Sequence, residues 1–119
     1  MDLTMIPDEF YPGGSVTDFS NLKKRTIKGI AERHHRFTGK WGWHSSTTTL
    51  EKIALVASEV GEAANECRGK TPTPEFKYEL ADIILRVVDI AECEGLDLEA
   101  AILEKMDKND KRDLSHRIK

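Results

Sequence analysis

Four acids at matching intervals are the part of this chain best suited to chemistry. Glu59 and Glu62 stand three positions apart, and so do Glu79 and Asp82, with residues 63–78 between the pairs. Carboxylate oxygens at that spacing suit a hard divalent cation. Magnesium takes a few carboxylates and fills its other positions with water and substrate phosphate. A single Glu-x-x-Glu is a frequent surface pattern. Two copies in one register, each beside an apolar helical face, leave two readings open: a metal site, or two solvated rims. Glu66 continues the first stripe by one turn, as a further ligand or as the partner of a base. Arg86 lies beside the second stripe and suits a charge partner.

On a helix at about 100° per residue, Glu59, Glu62 and Glu66 fall within about 60° of one another. They border the arc formed by Ile53, Val56, Val60 and Ala63. Glu79, Asp82, Arg86 and Asp89 border the arc of Phe76, Leu80, Ile83, Val87 and Ile90 in the same way. Packing the two apolar arcs together sets the acid stripes side by side. Like charges about 5 Å apart repel by roughly 3 kcal/mol at an effective dielectric of 20. Several such pairs rival a domain's whole stability of roughly 5–15 kcal/mol. Raised carboxyl pKa values, Arg86 or a bound cation must therefore offset them.

The elements that position these acids follow from caps and periodicity. Residues 1–15 hold two prolines and the pair Gly13-Gly14, and read as an irregular arm. A first helix is expected from about Asp18 to Arg36, capped by Ser15 or Thr17. Residues 37–47 form an aromatic loop containing Phe37, Trp41, Trp43 and His44. Thr48 to Glu51, "TTLE", matches a capping box that opens a second helix, with Gly69 as its left-handed stop. Thr73 and Pro74 suit the cap and first position of a third helix, which Gly95 ends. Asp97 caps a fourth, running to about Leu114. No strand alternation survives. The fold class is all-α, of the four-helix-bundle type, in a single domain over residues 1–119.

Composition sets outer limits. With 119 residues and 39% hydrophobic content, the core is modest, so oligomerisation is expected to complete it. The net charge of -3 is segregated. Residues 51–104 carry five basic and thirteen acidic side chains, while residues 105–119 carry six and three. This is unlike the basic stripe of a nucleic-acid polymer binder. No run approaches the roughly 20 apolar residues of a membrane span, and the N-terminus lacks a secretory pattern. A cytoplasmic location is the expectation. Cys67 and Cys93 match no zinc or redox spacing and read as buried thiols. His34 and His35 read as surface residues. "DKNDKRD" from Asp107 is not a calcium loop, because Arg112 occupies the position that needs glycine.

The words "SEVGEAANE" and "YELADIILRVVD" resemble the MazG-like all-α nucleoside triphosphate pyrophosphohydrolases, whose signature is ExxE followed by ExxD. The resemblance spans residues 48 to about 112. It implies cleavage of a (d)NTP to the (d)NMP and pyrophosphate, as in nucleotide-pool cleaning. Glu59, Glu62, Glu79 and Asp82 would hold magnesium, with manganese as a substitute. Glu59 or Glu62 would be the general base. "KMDKNDKR" matches the family's KxxxNxxR pattern, which implies substrate contacts from Lys105, Asn109 and Arg112. Trp41, Trp43 and His44 have rings that can stack on a base, or cover the bundle's end. The expected partners are a nucleoside triphosphate and further copies of the chain, as a homodimer or homotetramer, with no nucleic-acid polymer and no membrane. Two alternatives stand beside this reading. One is a related dUTP or phosphoribosyl-ATP pyrophosphohydrolase. The other is a non-catalytic metal-binding regulatory module.

Overall fold

The structure is a computed structural model, and it describes residues 23–112. These residues form five helices: α1 (Ile27–Gly39), α2 (Trp43–Ser46), α3 (Thr49–Asn65), α4 (Phe76–Cys93) and α5 (Leu98–Asp110). No strand occurs among them. No helix of the described residues is long and apolar enough to cross a membrane. The expected arm at 1–15 and the expected helix start near Asp18 lie outside the described residues, whereas the last helix ends at Asp110, short of the expected Leu114.

Local chemistry sets most boundaries. Thr48 caps α3, its side-chain oxygen accepting from the Glu51 amide at 3.1 Å. Asp97 caps α5 through the Ala100 amide at 3.0 Å. Gly95 takes φ 68° just after α4, a conformation that costs glycine little. Other boundaries differ from the sequence reading. The expected first helix is interrupted at Arg25 and Thr26, after helical Lys23 and Lys24, and α1 runs from the Thr26 cap on through Phe37 to Gly39. The aromatic segment is not wholly loop, because Trp43 opens the short helix α2 after Gly42 at φ 72°. Helix α3 stops at Asn65, before Gly69, which does not adopt positive φ. The reason is a tertiary tie: the Thr73 amide donates to the Glu66 carbonyl at 3.0 Å, and the Thr73 hydroxyl donates to the Glu66 carboxylate. Thr73 is thereby drawn away from capping α4, which starts instead from Glu75 with no side-chain cap.

Helix α4 is the centre of the molecule, with α3 on one side and α1 on the other. Helices α3 and α4 run antiparallel. Glu59 meets Arg86 near one end, and Thr49 donates to Glu94 at the other. The buried apolar residues are small: Ala31, Ala63 and Ala91 with Val88, the largest fully buried side chain. Small side chains let three helices approach closely, but they bury little area. Ile53, Val60 and Leu80, assigned to core arcs by their spacing, remain about half exposed, as does Ile84 beside them. Helix α5 packs lightly on α1, and its residues from Ala100 onward are exposed. The described residues of one chain therefore do not close a four-helix bundle. Three helices pack together and the fourth stands aside.

Candidate metal and nucleotide site

The antiparallel packing of α3 on α4 brings the acid stripes together. Glu59, Glu79 and Asp82 each present a carboxylate oxygen within 4.8 Å of the others. Glu59 and Glu79 are half-buried, whereas Asp82 and Glu62 are exposed. Glu62 lies outside the tight threefold group but close enough to act on Glu79. The Glu79 carboxyl is pushed above the usual glutamate range, first by desolvation and then by the charge of Glu62, with Asp82 and Glu59 adding to it. Arg86, one turn beyond Asp82, donates from Nε to Glu59 Oε1 at 2.7 Å. The charge partner expected for the stripe is thus in place. It meets only part of the demand. Glu59 Oε2 and Glu79 Oε2 are both buried without a hydrogen-bond partner. Buried carboxylate oxygens left in that state are costly, and a hard divalent cation is the group that would satisfy both together. The donor set fits magnesium.

The remaining predicted residues are distributed differently. Lys105 and Asn109 lie exposed on α5, and Arg112 is exposed just beyond its end. Among the described residues, none of their side chains bonds to the acids. Glu66 pairs with Thr73 rather than with a base. Trp41 is 68% exposed and meets Phe37 edge-on, with ring centroids 6.3 Å apart. Phe37 in turn lies 6.1 Å from His34. These rings make an exposed aromatic row at the end of α1. Trp43 sits at the first position of α2. His44 is engaged inward, its Nε2 lying 2.7 Å from the Thr38 hydroxyl and 3.3 Å from Asp89 Oδ1.

A small cavity connects the two halves of this region. His34, Thr38, Lys52, Arg86 and Asp89 contribute to its lining. It joins the aromatic row of α1 to the arginine that holds Glu59. The His34 imidazole is pushed below its ordinary pKa, chiefly by desolvation and against the pull of Asp89. A neutral ring here can accept or donate a hydrogen bond. The sequence did not single out Thr38 or Asp89 for any role beyond a place in an acid stripe. Both are buried, and Asp89 stands seven residues after Asp82 on the same helix.

Comparison with known proteins identifies a family. A family described as the MazG nucleotide pyrophosphohydrolase domain matches residues 47–116, more than half of the chain. Human dCTP pyrophosphatase 1 is similar, at 28% identity over 110 residues, a stretch that is 82% of this chain and 65% of that protein. The chain thus accounts for just under two thirds of that relative's length. No solved structure matches.

Proposed function

The chain belongs to the MazG nucleotide pyrophosphohydrolase family, and we propose that it is a magnesium-dependent enzyme that cleaves a (d)NTP to the (d)NMP and pyrophosphate. One observation carries this reading. Glu59, Glu79 and Asp82 converge from two packed helices, and two of their oxygens are buried with nothing to bind. Glu59, Glu62, Glu79 and Asp82 would hold the metal. A bound magnesium ion supplies charge neutralisation for the triphosphate and a more acidic water.

The chain's own residues divide the other tasks. Arg86 donates to one oxygen of Glu59 at 2.7 Å, which orients that carboxylate and occupies one of its acceptor positions. Glu62 is exposed and is not held by Arg86, which supports it over Glu59 as the group that accepts the attacking water's proton. The aromatic row of His34, Phe37 and Trp41 offers flat surfaces for a nucleobase. The relative that acts on dCTP supports a pyrimidine deoxynucleotide as the first substrate to examine. Lys105, Asn109 and Arg112 would reach phosphate and sugar from a neighbouring subunit, because α5 stands apart from the acids of its own chain. The exposed apolar residues Ile53, Val60, Leu80 and Ile84 support a homodimer or homotetramer that covers them.

The test is a panel of ribo- and deoxynucleoside triphosphates with magnesium, with both products identified. Release of pyrophosphate and a monophosphate is expected from wild type and not from Glu62→Gln or Asp82→Asn. A wild type no better than these variants on every triphosphate would end the reading. Light scattering at micromolar concentration should show a dimer or larger species, and a strictly monomeric protein would remove the shared site.

A further inference from the structure

The second half of α4 carries a different set of metal-ligand groups, unrelated to the acid site. Asp89 and Cys93 stand four residues apart, so they share one helical face. His35 near the end of α1 and His44 on α2 reach the same point. Together the four residues each place a ligand atom within 4.8 Å of the others. His35 Nδ1 is 3.1 Å from Asp89 Oδ1, and His44 Nε2 is 3.3 Å from that same oxygen. Cys93 Sγ is 3.9 Å from His35 Nδ1. Two imidazoles, a carboxylate and a thiol thus converge from three helices.

We propose that His35, His44, Asp89 and Cys93 form a site for a zinc-class transition metal ion, separate from the acid site. Nitrogen and sulfur donors select such ions, whereas magnesium prefers oxygen alone. The spacing suits a tetrahedral ion. With metal–nitrogen and metal–oxygen bonds of about 2.0–2.2 Å and a metal–sulfur bond of about 2.3 Å, neighbouring N and O ligands lie about 3.3 Å apart and N and S about 3.6 Å. The observed separations of 3.1, 3.3 and 3.9 Å bracket those values. Thr38 donates to Asp89 Oδ1 at 2.9 Å, the kind of outer contact that orients a ligating carboxylate. An open cleft of about 370 Å³, lined by His35, His44, Thr48, Glu92 and Cys93 among others, gives an ion a route in.

Binding has a defined proton balance. The Cys93 thiol loses its proton to solvent as the sulfur–metal bond forms. Each imidazole keeps one proton but carries it on the nitrogen away from the ion. The two rings, now stacked 3.9 Å apart and within 10° of parallel, must splay to point their lone pairs at one centre. In exchange the ion would fasten α2, and the aromatic segment around it, to α1 and α4.

Cobalt(II) titration of the full-length, metal-stripped protein tests this directly. The expected result is one equivalent with intense tetrahedral visible bands and a thiolate-to-cobalt charge-transfer band, both persisting in excess magnesium. Cys93→Ser should lose the charge-transfer band and Cys67→Ser should keep it. His44→Gln should weaken cobalt binding at least tenfold. Zinc should also slow alkylation of Cys93 in wild type while leaving the exposed Cys67 reactive, a measurement that needs no variant to fold. A weak octahedral spectrum, a charge-transfer band that survives Cys93→Ser, displacement by magnesium, or an unchanged alkylation rate at Cys93 would each overturn the proposal.

Discussion

The two halves of α4 treat their carboxylates in opposite ways. Toward the N-terminus, Glu79 and Asp82 face Glu59 from α3, so acids meet acids and two buried oxygens go without partners. Toward the C-terminus, Asp89 meets Thr38, His35 and His44, all directed at one oxygen. The first half concentrates charge that the chain alone does not neutralise. The second half builds a network in which the polar groups answer one another. A site that must bind a cation and a polyphosphate has to remain electrostatically incomplete. A cluster that joins three helices can be satisfied by protons in the absence of any ion.

The contrast can be broken most forcefully through activity. Glu62→Gln should lower the rate of pyrophosphate release by roughly 10²–10⁴-fold if Glu62 accepts the proton. It should leave the denaturation midpoint nearly unchanged, because Glu62 is exposed. A large loss of stability with intact turnover would reverse the assignment. Next in size is the satisfied half. Asp89→Ala removes the one carboxylate oxygen that Thr38, His35 and His44 all face, and should cost about 3 kcal/mol in urea unfolding. Magnesium affinity, measured by calorimetry, should change little. If affinity falls with stability, the two halves are one site.

Arg86→Gln sharpens the comparison from the other side. Removing the guanidinium takes a charge-assisted bond from Glu59, and metal-free stability should fall by about 2 kcal/mol. Saturating magnesium should restore part of it, because the ion replaces a lost positive charge. A variant equally destabilised with and without magnesium would place the ion elsewhere. The smallest effect is in pH. Glu79 binds its proton more tightly in the folded protein than in the unfolded chain. Its contribution to stability is therefore full below the usual glutamate range and fades as pH rises through the elevated folded value. Thermal unfolding of metal-free protein should show that decline, and magnesium should flatten it. A Glu79→Gln protein that keeps the same slope would assign the effect to another group.

Periodicity and capping were sufficient for much of this molecule. The Thr48 and Asp97 caps, the Gly95 stop and the all-helical class depend on interactions within a few residues, so they can be read locally. The meeting of Glu59 with Glu79 and Asp82 was also legible, because two stripes bordering two apolar arcs have few ways to pack. Three features were not legible. The short end of α3 depends on Thr73 reaching back to Glu66, a contact set by the turn between the helices. The inward fate of His44 depends on α2 folding over α1. Cys67, read as buried, is exposed, and Cys93 is half-buried beside a histidine 58 residues away.

The sequence by itself determined the all-helical class, the Thr48, Asp97 and Gly95 boundaries, which faces are apolar and where four acids border them, because each of these follows from 3.6-residue geometry and local side-chain chemistry. Only the tertiary structure decided which carboxylates are neutralised and which are left wanting. That outcome depends on which donor from a distant helix comes within about 3 Å, and hydrogen-bond and Coulomb energies fall off too steeply with distance for spacing along the chain to fix it.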